Sequence, residues 1–131
     1  MMKIGIIGSP DCYSPKLKQI LVKLHETYGN TAEIVTGGNK SGVEYNAKKI
    51  ALELGFNYKE FNPAYSIQTG FSAMTESYYS KKWHPTHDIG RYRKLVEYCD
   101  AVIIFQNSDK IIESTGKYAE KKSKKIVKIG V

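Results

Sequence analysis

The sequence is poor in cysteine and arginine and has no long apolar run. These absences argue against a disulfide-stabilised protein and against a membrane-spanning one. Its 131 residues include two cysteines, Cys12 and Cys99, which lie far apart and lack metal-ligand spacing, so a disulfide framework is not expected. No run approaches the roughly 18 apolar residues that a membrane span needs. The first apolar segment ends at Ser9-Pro10-Asp11, too early for a signal peptide. We therefore expect a cytoplasmic protein without a membrane partner.

Charge and composition favour a globular protein with anionic partners. The chain is 41% hydrophobic and 25% charged, which is ordinary for a soluble domain, and its length predicts one domain over residues 1–131. The net charge of +7 favours phosphates, nucleotides or nucleic acid. Only two arginines occur, Arg91 and Arg93, and their closeness in a lysine-rich chain suggests bidentate recognition of a phosphate or a carboxylate. A surface salt bridge is the alternative.

Strand-like and helix-like patterns alternate along most of the chain. Short apolar runs predict five strands, and recurring apolar residues at helical spacing predict four helices. The predicted strands are 3–8, 32–36, 57–61, 101–105 and 126–129, and the predicted helices follow Ser14, follow Ser41, and run from about 88 to 98 and from about 113 to 123. This order predicts an α/β fold: a Rossmann-like, doubly wound parallel sheet of about five strands in a three-layer α/β/α sandwich.

In such folds, ligands bind beyond the carboxyl ends of the strands. Four segments end there in the predicted sheet: the turn at Gly8 and Ser9, the loop 37–42, the turn at Gln106 and Asn107, and the tail of the third strand. The loop 37–42 is the most informative, since it joins a strand to a helix and is rich in glycine. Its residues are Gly37, Gly38, Asn39, Lys40, Ser41 and Gly42.

Glycines allow a backbone to approach an anion closely, and a helix start offers free N–H groups. Lys40 adds positive charge, and Ser41 can cap the helix or donate to a phosphate. The loop matches neither the Walker A pattern nor the G-x-G-x-x-G fingerprint. A phosphate-binding loop is predicted, and a tight glycine turn without ligand is the alternative.

The motif Val35-Thr36-Gly37-Gly38, followed by Gly42-Val43-Glu44, resembles the signature of the SLOG superfamily, most closely its YspA-like branch. The superfamily also includes DprA domains and LOG phosphoribohydrolases. Further matches are Gly8-Ser9 after the first strand, Arg91 ahead of an Asp-ended helix, and Ser114-Thr115-Gly116 before the last helix. The resemblance implies a Rossmann-like fold that binds nucleotides or their derivatives at these residues, with no separate cofactor.

Glu44 is the candidate catalytic residue, because it stands where the resemblance implies an acidic residue. In the LOG-like relatives that residue serves cleavage of an N-glycosidic bond, which a carboxylate can assist by stabilising an oxocarbenium-like sugar or by binding ribose hydroxyls. Arg91 would assist it. The alternative is a first-turn glutamate that only stabilises the helix dipole.

Residues 64–86 form a long predicted loop rich in aromatic and hydroxyl side chains, among them Tyr65, Phe71, Tyr79 and Trp83. Long loops in compact domains are often functional, and these aromatics could stack on a base. Packing on the sheet edge or on another subunit is the alternative. The pair His84 and His87 predicts no metal site, because Pro85 prevents a regular helix across it; His87 could instead contact a phosphate beside Arg91.

Together these features predict a protein that binds a small nucleotide-type ligand, as a sensor or as an enzyme such as a nucleoside-monophosphate phosphoribohydrolase. The alternative function is DprA-like nucleic-acid binding without catalysis. The positive charge and the aromatic loop favour it. Self-association is a further expectation, because the loop and the amphipathic helices could supply an apolar patch.

Overall fold

The computed structural model describes residues 1–130 and contains one sheet of five parallel strands. The strands follow the order β3-β2-β1-β4-β5. Their bounds are β1 (Met2–Ile7), β2 (Ala32–Thr36), β3 (Asn57–Glu60), β4 (Ala101–Gln106) and β5 (Lys125–Gly130). The helices are α1 (Lys16–Tyr28), α2 (Gly42–Leu54), α3 (Thr86–Tyr98) and α4 (Lys110–Lys121). The predicted α/β fold is confirmed.

Alternating side chains of the central strands supply two separate cores. Ile4 and Ile6 of β1 pack with α1 and α2 on one face, while Ile7 packs with α3 and α4 on the other. In β4, Ile103 joins the first core and Ile104 the second. This period of two buries both faces of the sheet and produces the three layers.

The last helix begins earlier than its apolar pattern predicts. Asp109 caps it: its Oδ1 accepts hydrogen bonds from the N–H groups of Ile111 at 2.9 Å and of Ile112 at 3.1 Å. The prediction of a start near Glu113 was therefore wrong by about one turn, because an N-cap aspartate starts a helix before the first buried apolar residue.

The segment between β3 and α3 is held to the sheet edge rather than left free. Its regular structure is a short 3₁₀ turn at Glu76–Tyr78 and a single bridge from Ser72 to Glu60. Phe71 packs edge-to-face on Tyr58 with ring centroids 5.4 Å apart, a favourable geometry for an aromatic pair, whereas Trp83 stays 63% exposed. The aromatic residues of this segment therefore do not form one surface.

No helix within residues 1–130 combines the length and the apolar character that crossing a bilayer requires. Both cysteines are free and buried. Cys99, which follows α3, lies in the second core. Cys12 is only 3% exposed and packs in the first core.

Candidate functional site

The carboxyl ends of β1 and β2 bring the predicted glycine turns together. Gly8 follows β1, and Gly37 and Gly38 follow β2, while Gly42 begins α2. A Cβ atom on Gly42 would lie 2.6 Å from the carbonyl oxygen of Ser9 and 2.8 Å from that of Pro10. The loop after β1 therefore lies directly against the start of α2, and only glycine leaves room for this contact.

Glu44, in the first turn of α2, is fully buried and binds three parts of the chain. Its Oε2 accepts hydrogen bonds from the Gly8 N–H at 3.1 Å and from the Tyr92 hydroxyl at 2.6 Å. Its Oε1 accepts a longer one from the Asn39 N–H at 3.4 Å. The carboxylate thus joins the end of β1, the loop after β2 and helix α3.

Burial dominates the ionisation of this pair. It raises the pKa of Glu44 above its usual value, although the nearby Arg91 charge and the hydrogen bond from Tyr92 act in the opposite direction. Burial, together with the Glu44 charge, also raises the pKa of Tyr92 well above its usual value. Tyr92 therefore keeps its proton and remains the hydrogen-bond donor.

Arg91, the residue before Tyr92 in α3, binds the glycine loop after β2. Its Nη1 donates to the Gly37 carbonyl oxygen at 2.6 Å, and its Nη2 donates to Asn39 Oδ1 at 3.1 Å. Its guanidinium carbon lies 4.6 Å from the centroid of the Tyr92 ring. A guanidinium carries about five N–H donors, so these two bonds leave further donors on Arg91.

The two neighbouring arginines do not act together. Arg93 is exposed on α3, with its guanidinium carbon 5.0 Å from the Tyr118 ring centroid, while Arg91 is buried. Residues two positions apart on a helix point in different directions, so the predicted paired recognition by Arg91 and Arg93 was wrong. Only Arg91 reaches the carboxyl edge of the sheet.

The backbone of the glycine loop has partners inside the protein. The Gly38 N–H donates to Thr36 Oγ1 at 3.1 Å, and the Val43 N–H at the start of α2 donates to the Cys12 carbonyl oxygen at 2.8 Å. The Ser41 hydroxyl donates to the Pro10 carbonyl oxygen at 2.7 Å. These bonds hold the loops after β1 and β2 together, and the loop after β2 adds the exposed Lys40 side chain.

A cavity of 480 Å³ opens beside this network, a volume typical of small-molecule sites. Its polar and charged walls come from three places: the loop after β2, the segment after β3 and the first turns of α3. Pro10, from the loop after β1, and Ile111, from the first turn of α4, contribute apolar surface. The residues that line it are Pro10, Gly38, Asn39, Lys40, Asn62, Pro63, Tyr65, Ser66, Asp88, Arg91 and Ile111.

The turn after β4 lines a second cavity rather than the one that contains Lys40 and Arg91. Asn107 Nδ2 donates to Ser9 Oγ at 2.7 Å, and Ser9 Oγ donates to Asp11 Oδ1 at 2.7 Å. That hydrogen bond from Ser9 lowers the pKa of Asp11. Gln106 and Asn107 line a separate cavity of 380 Å³ next to α4. The structure therefore does not bring Gln106 and Asn107 into the cavity that contains Lys40 and Arg91.

Ser114, Thr115 and Gly116 do not form the turn that the resemblance implied. They lie inside α4, where the Thr115 hydroxyl donates to the Ile111 carbonyl oxygen at 2.8 Å and Gly116 packs near Ile104. The physical reason is the Asp109 cap, after which α4 begins at Lys110 and includes all three residues. None of the three lines the 480 Å³ cavity.

Seven lining residues were not among the predicted site residues: Pro10, Asn62, Pro63, Tyr65, Ser66, Asp88 and Ile111. A Cβ atom on Gly38, whose φ is +76°, would lie 2.3 Å from Asn62 Nδ2, so Asn62 packs directly across the glycine loop. A signal for Asn62 was present, because it follows a strand at the carboxyl edge. Tyr65 belongs to the aromatic loop whose side chains were expected to stack on a base, whereas Asp88 carried no comparable signal.

His84 and His87, for which no metal site was predicted, lie just before α3 and at its start, respectively. The ring centroids of His84 and His87 lie 6.2 Å apart, and His84 Nδ1 shares a hydrogen bond of 2.8 Å with the Thr86 hydroxyl. His87 is one helical turn from Arg91, and its Nδ1 has no hydrogen-bond partner among residues 1–130. His87 does not line the cavity, so a phosphate contact stays a prediction.

Solved structures of other proteins share the fold of this chain. No protein-family profile and no curated protein match the chain. Among solved structures, DNA processing protein A (DprA) from Helicobacter pylori, described for its single-stranded DNA binding mode, matches 97% of the chain with a TM-score of 0.70 and 25% identity. DprA from Streptococcus pneumoniae matches 98% with a TM-score of 0.72 and 17% identity.

A third match is the molybdenum cofactor binding protein from the phototrophic bacterium Rippkaea orientalis, which covers 99% of the chain with a TM-score of 0.71 and 19% identity. The chain spans 64% and 50% of the two DprA chains and 77% of the cofactor binding protein. These matches support the fold that the resemblance to the SLOG superfamily implied, while the YspA-like branch stays a prediction. The chain has the Rossmann-like α/β fold that these DprA proteins and the molybdenum cofactor binding protein share.

Proposed function

We propose that this protein binds a nucleotide-type phosphate ligand in the 480 Å³ cavity. The observation that carries the proposal is the position of Lys40 and Arg91, two cations that line one cavity at the carboxyl edge of the sheet. Ligands of doubly wound folds bind at this edge. Lys40 is exposed, and Arg91 retains N–H donors beyond those it gives to Gly37 and Asn39.

We propose that the cavity binds the nucleotide, and we assign no hydrolysis of its N-glycosidic bond to Glu44. Glu44 is fully buried, and its carboxylate is bonded to Gly8, Asn39 and Tyr92 of the chain itself. It also does not line the cavity. We therefore assign Glu44 a positioning role, in which it holds Asn39 and, through Tyr92, helix α3 in place beside the ligand.

Replacement of Lys40 by glutamine tests the site with little effect on the fold, since Lys40 is exposed. We expect about a tenfold loss of affinity for a nucleoside monophosphate, because a hydrogen bond to a charged group contributes about 1.5 kcal/mol or more. Calorimetric titration measures it. Lys23→Gln removes the same charge from the exposed face of α1 and should leave the affinity unchanged; an equal loss in both variants would reduce the effect to net charge.

Single-stranded DNA is the second candidate, and two observations favour it. The Helicobacter pylori DprA, 25% identical over nearly the whole chain, is described as binding single-stranded DNA. Lys81, Lys82 and Trp83 are consecutive and exposed, and such aromatics stack on single-stranded bases while lysines meet phosphates.

Salt separates the two candidates. If the ligand is a strand held by several phosphates, the affinity for an oligothymidylate should fall steeply between about 50 and 200 mM salt. It should also fall in Trp83→Ala. If the ligand is a nucleotide in the cavity, its affinity should depend weakly on salt and should not change in Trp83→Ala. Fluorescence anisotropy with labelled oligonucleotide and nucleotide measures both.

A further inference from the structure

The cavity contains one acidic residue beside its two cations. Asp88, in the first turn of α3, lines it together with Lys40 and Arg91, and its Oδ1 lies 3.7 Å from Arg91 Nη2. A carboxylate repels a phosphate that binds next to it. The mixture of charges therefore fits a ligand that carries a hydrogen-bond donor close to its phosphate, and fits a bare phosphate poorly.

Asp88 is held in place and still has an acceptor to offer. The Tyr65 hydroxyl donates to Asp88 Oδ1 at 2.7 Å, and the Arg91 contact falls on the same oxygen. Within residues 1–130, no hydrogen bond to Oδ2 occurs, and the side chain is 23% exposed. An ionised carboxylate accepts about four hydrogen bonds, so capacity remains for a donor on a ligand.

The spacing of Asp88 and Arg91 selects the kind of ligand. They are three residues apart on one face of α3, a separation of about 5–6 Å between Cβ atoms. In a nucleoside 5′-monophosphate, one sugar joins the phosphate to the ribose hydroxyls, so both groups can meet neighbouring side chains. Acidic residues bind ribose hydroxyls in other dinucleotide-binding folds, and Pro10, Pro63 and Ile111 give the base an apolar wall.

We infer that Asp88, oriented by Tyr65, accepts a hydrogen bond from the ribose 2′-hydroxyl and makes the cavity selective for ribonucleotides over deoxyribonucleotides. This inference rests on the proposed function, because it requires that the phosphate lies at Lys40 and Arg91. It makes Asp88 a specificity-determining residue. It also argues against the DNA backbone as the ligand of this cavity, since deoxyribose lacks the 2′-hydroxyl.

The test is calorimetric titration of the intact protein with four matched pairs of 5′-monophosphates: AMP and dAMP, GMP and dGMP, CMP and dCMP, UMP and dUMP. We expect the ribonucleotide of the best-bound pair to bind about tenfold more tightly than its deoxy partner, as for one hydrogen bond to a charged group. In Asp88→Ala that ratio should fall to about one, whatever the absolute affinity. Glu113→Ala removes a first-turn acid of α4 outside this cavity and should keep the tenfold ratio.

The possible results of these titrations separate the role of Asp88 from the proposed function. Equal affinity for the two members of every pair in the wild-type protein, with binding intact, overturns the role of Asp88 and leaves the proposed function standing. A preference that follows the amino-bearing bases rather than the sugar overturns it as well. If no mononucleotide binds, the proposed function fails and the inference fails with it. Equal affinities in the wild-type protein overturn the inference whether or not Asp88→Ala folds, and a tenfold ratio that persists in Asp88→Ala overturns the role of Asp88. Asp88→Asn, which keeps the size of the side chain, takes its place if Asp88→Ala does not fold.

Discussion

Replacement of Glu44 by alanine is expected to lower the free energy of unfolding by about 3–5 kcal/mol. The carboxylate is fully buried and accepts hydrogen bonds from Gly8, Asn39 and Tyr92. Alanine leaves these donors without a partner in a space that water does not reach, and each such group costs about 1–3 kcal/mol. Urea denaturation followed by circular dichroism measures the change. A loss below about 1 kcal/mol would contradict the role of Glu44 as the link between the loops.

Glu44→Gln is the matched control, because it keeps the volume of the side chain and one acceptor oxygen. It also tests the direction of the pKa shift. The folded-state pKa of Glu44 lies above the usual value of 4.5, chiefly through burial. The stability that this carboxyl contributes is therefore complete below pH 4.5 and is lost as the pH rises through the folded-state pKa.

Glutamine does not titrate, so the stability of the wild-type protein relative to Glu44→Gln should decrease as the pH rises from 4.5 toward neutrality. Denaturation of both proteins across this range measures the difference. An increase with pH would mean that the ionised carboxylate is the stabilising form and that its pKa is lowered.

Gly42→Ala is expected to destabilise the protein by about 3 kcal/mol. Its φ is +80°, and a Cβ atom would lie 2.6, 2.8 and 3.0 Å from the carbonyl oxygens of Ser9, Pro10 and Cys12. Backbone atoms cannot rotate away as the end of a side chain can. The loop after β1 must therefore move from the start of α2, and Pro10, a wall of the cavity, moves with it. Nucleotide affinity should fall in the same variant.

Gly55→Ala separates strain from contact. Gly55 ends α2 with a φ of +86°, but a Cβ atom added to it would have no neighbouring atom within 4 Å. The variant should lose only the backbone contribution of about 1–2 kcal/mol and bind nucleotide normally. Thermal and chemical denaturation compare the two variants directly. If both lose the same stability, then the contact between the loop after β1 and α2 contributes little.

The fold was accessible from the sequence because each layer has its own periodicity. The run Ala101–Phe105 is uninterrupted and apolar, as a strand covered on both faces requires, and Leu17 and Leu21 recur at helical spacing. The last helix was placed too late because its start depends on the Asp109 side chain. The resemblance assigned Ser114 to Gly116 to a turn ahead of this helix, whereas they lie inside α4.

The site was accessible only in part. The glycine loop, Lys40 and Arg91 follow from the position of a strand end and from residue type, and they do meet at one cavity. The orientation of Glu44 does not follow, because it depends on Gly8 and Tyr92, which lie 36 and 48 positions away. Asp88 and its hydrogen bond from Tyr65 were missed for the same reason: the two residues meet only when the segment after β3 folds back against α3.

The measurement that tests the central claim most directly is a titration of the ¹⁵N-labelled protein with ribonucleoside 5′-monophosphates, followed by the backbone amide resonances. If the nucleotide binds in the cavity, saturable shifts should cluster at residues 38–41, 62–66 and 88–91. The affinity obtained from these shifts should fall about tenfold in Lys40→Gln. Shifts confined to Lys81–Trp83 or to β5, or no saturable shift with any of the four nucleotides, would contradict the assignment of this cavity as the binding site.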